Sequence, residues 1–209
     1  MGGVFMRKLG KRILFCAVLA VSLWTGSVLA DRNILNQELI RLHVVADSDT
    51  PEDQAIKLQV RDAVIQCIQR DLEKLQDMEA ARMYLQENLP RIRQVAKTAM
   101  AQLGCDADVA VTLCREAFDK RRYETFTLPA GVYESLRIVI GRGEGKNWWC
   151  VAFPGLCVPA TAETFSDAAE AAEFPDALTG ALSGDAPYEI RFFFLDVLGR
   201  LENIFFRES

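Results

Sequence analysis

The sequence predicts an α+β protein: a small, mainly antiparallel or mixed sheet with two to three helices packed mostly on one face, as a single domain behind an N-terminal signal segment. Three observations carry this. Short apolar, β-branched runs at 39–45, 109–113 and 136–140 have strand length. Between the first two lie two long stretches with apolar residues at helical spacing. The resulting order, β-α-α-β-β-β-α, fits a sheet with segregated helices and contains no internal repeat.

The leader comes first. Arg7, Lys8, Lys11 and Arg12 precede an uncharged run from Ile13 to Ala30, and Val28-Leu29-Ala30 reads as a small-residue cleavage site. Residues 1–30 are therefore a signal peptide or, since 18 residues just reach spanning length, an uncleaved signal anchor. Cleavage would leave Asp31 as the N-terminus, and residues 31–209 lie outside the cytoplasm in either case. Asp31–Gln37 reads as a short polar tether.

"LIRLHVV", Leu39–Val45, is the first strand. "ADSDTPEDQ" is a turn into a helix, with Thr50 as N-cap, Pro51 at the first helical position and Asp53 three residues on, as in a capping box. Ile56, Val60, Ala63, Val64, Cys67, Ile68, Leu72 and Leu75 then mark a helix over 51–75. A second helical stretch covers 78–103, with Pro90 expected to break or restart it, Asn88 available as a cap, and Gly104 ending it. Val109–Leu113 alternates as a strand. The basic loop Lys120-Arg121-Arg122 leads to extended "YETFTL", a turn at "LPAGVY", the strand "LRIVI" and the loop "GRGEGKN". Residues 161–185 form an Ala-rich, acidic segment of partial helicity. "YEIRFF" suggests a last strand, and Phe194, Val197, Leu198, Leu201, Ile204 and Phe205 share one helical face.

Charge excludes some partners. The leader carries 4 of the 24 basic residues and none of the 29 acidic ones, so the remainder has a net charge of −9. Nucleic acid and simple adhesion to anionic lipid are disfavoured. Five cysteines remain, Cys67, Cys105, Cys114, Cys150 and Cys157, an odd number without zinc spacing, and His43 is the sole histidine. No metal or other cofactor is expected. Cys67 falls on the apolar stripe of the first helix and reads as a buried thiol.

Four features invite chemistry. Asp47, Asp49, Glu52 and Asp53 are acidic enough for calcium, and a calcium-dependent adhesion module using Asp47 and Asp49 is one reading. The spacing is not that of an EF-hand, however, and a helix N-terminus favours carboxylates. His43 faces away from Leu42 and Val44, and an extracytoplasmic cell-wall or thiol-type enzyme would pair it with Cys150 or Cys157. The glycine loop matches neither phosphate-binding pattern. In "NWWCVAFPGLC", Trp148 and Trp149 must point to opposite faces of a strand, so either one of them faces out and can anchor an interface or helices and loops cover both faces. Phe153-Pro154-Gly155-Leu156 suits a type II turn. A simple hairpin would set Cys150 and Cys157 diagonally, about 7 Å apart, so a bond needs a bulge or a tightened loop. If formed, it is worth about 2.5 kcal/mol in the chain-entropy estimate. Cys105 and Cys114 offer a second bridge.

Two blocks carry a family resemblance. Arg41, His43, Val44, Ala46, Ser48, Asp49, Pro51, Asp53, Gln54, Lys57, Val60, Arg61 and Asp62 fit an R-x-H-V-x-A-[NS]-S-D strand and turn followed by P-x-D-Q-x-x-K-x-x-V-R-D. "LPAGVYESLRIVIGRGEGKNWWCVAFPGLC" supplies the second block. Together they resemble stage II sporulation protein R of endospore-forming bacteria, over about Leu39 to Cys157. Asp47 and Gly155 stand where that family usually has Asn and Pro, and Cys67, Cys105 and Cys114 are peculiar to this chain. The resemblance implies a non-enzymatic intercellular signal, made in the forespore and exported into the space between forespore and mother cell. There it would activate a membrane-embedded aspartic protease of the mother cell, which processes a pro-sigma factor. Contact with the membrane would come only through the leader or that partner. Candidate partner-binding residues are Arg41, His43, Asp49, Arg61, Asp62, Asn147, Trp148 and Trp149. No catalytic residue carries over.

Overall fold

Ile40–Val45 (β1) is buried along its whole length, and this places it inside a sheet rather than at an edge. The computed structural model, which describes residues 2–75, 77–123, 125–153, 169–170, 173–185 and 188–208, seats it in a four-stranded mixed sheet. The other strands are Val109–Phe118 (β2), Gly131–Ile140 (β5) and Asn147–Phe153 (β6), in the order β2-β5-β1-β6. β1 runs parallel to β5, and the other pairings are antiparallel. A parallel pair needs a long crossover, and the two helices Pro51–Leu72 (α2) and Met78–Gln102 (α3) lie within it. Arg121–Arg122 (β3) and Thr127–Leu128 (β4) form a separate two-stranded ladder where a basic loop and extended piece were expected.

Strand alternation gives the sheet two faces, and both are covered. Leu42, Val44, Leu136 and Ile138 face α2 and α3, meeting Val60, Val64, Ile68, Leu85, Ile92 and Ala96 in one apolar core. The opposite face carries Phe118, Tyr133 and Val151. Against it pack Leu35 and Leu39 at the end of helix Gly2–Glu38 (α1), Leu178 and Leu182 of Asp176–Ser183 (α4), and Leu195 of Glu189–Glu208 (α5). The α+β class and mixed sheet follow the sequence reading. The helices are shared between the faces, because β1 and β5 are apolar or sealed on both sides.

Local chemistry explains the ends of α2. Thr50 Oγ1 accepts a hydrogen bond from the Asp53 amide at 3.3 Å, and Pro51 opens the helix. Asp53 closes no capping box; its carboxylate takes the Ser48 hydroxyl instead. α3 is capped by Asp77, which accepts from the Ala80 amide at 2.7 Å. It runs through Pro90 without a break. The lost backbone bond is outweighed because Leu85 and Ile92, on either side of the proline, are both fully buried in the core.

Three other expectations change. Asp31–Gln37 is not a tether but the last turns of α1, with Asp31 and Leu35 buried. Residues 189–193 are not a strand. They open α5, because Ile190, Phe193 and Phe194 already repeat at the helical spacing of the residues that follow. Cys105 and Cys114 are free thiols rather than a bridge. The type II turn at Phe153–Leu156, Cys157 and most of the Ala-rich segment lie outside the described residues.

Candidate functional site

β6 forms one edge of the sheet, and its two tryptophans diverge as strand geometry requires. Trp148 points toward α2 and remains 36% exposed, with the Arg61 guanidinium 4.2 Å from its ring centroid. This is a cation–π contact, and Arg61 is oriented by Asp62 at 2.6 Å. Asn147 and Asp62 are exposed beside the pair. Trp149 points to the other face. It stacks on His43 with centroids 3.6 Å apart, meets Phe118 edge-on at 4.8 Å, and lies 5.5 Å from the Arg121 guanidinium.

Behind Trp149 is a cluster of polar groups in an apolar setting. Arg41 is fully buried, with its guanidinium 3.9 Å from the Phe118 centroid and 5.3 Å from that of Tyr133. It donates to the Tyr123 hydroxyl at 2.8 Å. His43 Nδ1 lies 3.2 Å from both carboxylate oxygens of Glu116, which also meets Arg137 at 3.4 Å. Burial works to raise the Glu116 carboxyl, but hydrogen bonding from His43 and the charge of Arg137 outweigh it, so its pKa lies below the ordinary value. Burial pushes the Tyr133 phenol up to about 12, so it stays protonated and donates to the Pro129 carbonyl. Arg41 Nε and Nη1, His43 Nε2 and Trp149 Nε1 find no protein acceptor among the described residues.

The acidic turn serves the loop before β6. Asp47 Oδ1 accepts from the Arg142 amide at 2.7 Å, and Asp49 Oδ1 from the Lys146 amide at 2.7 Å. These carboxylates hold loop amides and do not cap a helix. The loop fits because of its glycines. A Cβ on Gly145 would stand 2.2 Å from the Ser48 carbonyl oxygen, and Gly141 has a φ of +55° against the Asp47 carboxylate. Lys57 is buried and donates to the Lys146 carbonyl at 3.0 Å, which ties α2 to the start of β6. Its burial lowers its pKa, while Asp49 works the other way.

The residues singled out from sequence therefore divide. Asp49, Arg61, Asp62, Asn147 and Trp148 gather at the α2–β6 edge. Arg41 and His43 are buried beneath, and Trp149 joins the two layers. Direct partner contact by Arg41 or His43 is not available in this arrangement; they support Trp149 from below. The cysteine–histidine pairing also fails. Cys150 is buried on the α2 side, opposite His43, and is disulfide-bonded, while its expected partner Cys157 lies outside the described residues. Sequence reasoning missed Glu116 and Phe118. The apolar alternation of Val109, Val111 and Leu113 breaks at Arg115-Glu116, so no local signal marked the continuation of the strand to Phe118.

The geometry defines a class: an α+β protein with a long apolar N-terminal helix and an edge strand that turns one indole, Trp148, out beside α2 and the other, Trp149, onto an arginine–histidine–carboxylate cluster on the opposite face. The chain belongs to the stage II sporulation protein R (spore_II_R) family, whose pattern matches residues 36–163. It is similar to the stage II sporulation protein R of Bacillus subtilis (strain 168), 36% identical over 124 residues, which is 59% of this chain and 55% of that protein. The similarity thus spans little more than half the length of that relative. No solved structure matches.

Proposed function

We propose that this protein is an exported intercellular signal of sporulation. It activates a membrane-embedded aspartic protease of the mother cell by docking, and that protease then processes a pro-sigma factor. The observation that carries the reading is the Trp148–Arg61 pair on the edge strand β6, inside the family-matched region. A large indole held half-open by a guanidinium, with Asp49, Asp62 and Asn147 around it, is suited to anchor an interface. The N-terminal apolar helix supports export into the space between forespore and mother cell.

An enzymatic role has weaker support. His43 and Glu116 form a hydrogen-bonded couple, but His43 is only 5% exposed. Cys150, the nucleophile that the sequence offered, is bonded and on the opposite face.

Coexpression of the full chain with the protease and its sigma substrate tests the proposal. Trp148→Ala and Arg61→Ala are expected to reduce processing, each by about tenfold or more, as loss of an interface anchor does. Export and protease resistance should be unchanged. Normal processing by both correctly exported variants overturns the docking role of this edge.

A further inference from the structure

α5 carries apolar residues on both of its sides. Its inward side mixes Phe192, Leu195 and Leu198 with polar contacts. Asp196 accepts from the Ala130 amide at 3.0 Å, Asn203 donates to the Phe118 carbonyl at 2.7 Å, and Glu202 pairs with Arg32. Gly199 fixes the rotation, since a Cβ there would meet the Ala130 carbonyl oxygen at 1.6 Å. The outward side is apolar. Ile190, Phe193, Phe194, Leu201, Ile204 and Phe205 are all exposed, Phe193 by 61% and Phe205 by 70%. At about 100° per residue they fill one arc of about 120°. Arg200 and Arg207, largely exposed and paired with Asp196 at 2.9 Å and Asp119 at 3.8 Å, line one border of this stripe.

Free-standing in water, such a face is an exposed apolar patch that calls for a cover. Its position names the cover. α1 contains a segment long and apolar enough to cross a membrane, with Ile13, Leu14, Phe15, Val18, Leu19, Val21 and Leu23 exposed. Trp24 closes this exposed run on the side of the folded domain, a residue type that sits at the lipid–water boundary. Phe194 rests edge-on against Trp24, ring centroids 5.0 Å apart. Arg191 secures the junction through Asp31 at 2.5 Å and the Ser27 hydroxyl at 3.3 Å. The apolar surface of α1 therefore continues into the outward face of α5.

We infer that the outward face of α5 lies in the headgroup boundary of the same bilayer that α1 enters, with its phenylalanines inserted and Arg200 and Arg207 at the lipid phosphates. An aromatic-rich apolar stripe with a basic border suits an interfacial helix. Membrane contact then extends beyond the leader, and the α2–β6 edge is presented at a fixed attitude to the membrane.

The test uses the full chain reconstituted in phosphatidylcholine–phosphatidylglycerol vesicles. Phe193→p-benzoylphenylalanine and Phe205→p-benzoylphenylalanine variants are irradiated and the adducts identified by mass. Val18 on α1 serves as the lipid-inserted standard and Met83, exposed on α3, as the aqueous one. Lipid adducts at 193 and 205, as at 18, and their loss at 83 are expected. Adducts between copies of the chain overturn the inference in favour of self-association. Lipid adducts at 18 alone overturn it in favour of a water-facing α5.

Discussion

Glu116 lies against both His43 and Arg137, so Glu116→Gln is the sharpest test of the support beneath Trp149. The change keeps size and shape and removes the charge. Breaking a buried ion pair costs about 3–5 kcal/mol. Here the side chain of Glu116 is 17% exposed and that of Arg137 is 44% exposed. Screening by water therefore reduces the figure to about 2 kcal/mol. For a chain of this size that lowers Tm by about 4–8 °C. The assay is urea unfolding of full-length protein in a mild non-ionic detergent, read by the midpoint with an unchanged slope. Acid pH supplies a second arm. The folded-state pKa of Glu116 is depressed, so its contribution is fully present above the unfolded value and is lost as pH falls through the folded one. Wild type and variant should differ most near neutrality and converge in acid below the ordinary carboxylate range. An unchanged midpoint at pH 7, or a gap that persists undiminished at low pH, refutes the assignment of this carboxylate as the cluster's counter-charge.

Trp149→Ala removes the stack on His43 and the Phe118 contact, and should cost about 3 kcal/mol by chemical denaturation, whereas Trp148→Ala should leave stability nearly unchanged while impairing activation. Gly145→Ala forces a methyl against the Ser48 carbonyl and should destabilise by about 1–3 kcal/mol, with faster amide hydrogen exchange at Lys146 and Asn147. Intact-mass measurement of the exported protein is expected to find residues N-terminal to Asp31 retained, because Val28 is buried in the domain and Arg191 bonds to Ser27; a mature N-terminus at Asp31 would overturn this.

Much of the fold was legible because its signals are local. The Thr50-Pro51 start of α2 is set by backbone amides within three residues, and the helix period of 56–72 by side-chain spacing alone. The divergence of Trp148 and Trp149 follows from the two-residue repeat of a strand. The misread elements are those where distant contacts outweigh local preference. Pro90 breaks an isolated helix, yet α3 continues because Leu85 and Ile92 are fixed in the core by α2 and the sheet. Asp31–Gln37 has a polar composition, yet it is helical because Leu35 enters the second core and Asp31 meets Arg191, 160 residues away.

The candidate site shows the same division. By itself the sequence determined an apolar N-terminal segment, an acidic remainder, and a Trp-Trp strand whose two indoles diverge. Each of these is a property of composition or of neighbouring residues. Only the tertiary structure decided that Arg41 and His43 are interior, that Glu116 is their neighbour, that Cys150 faces away from His43, and that the apolar stripe of α5 points out beside α1. Those outcomes depend on strand order and helix rotation, which are set by contacts between residues far apart in the chain and leave no periodic trace within it.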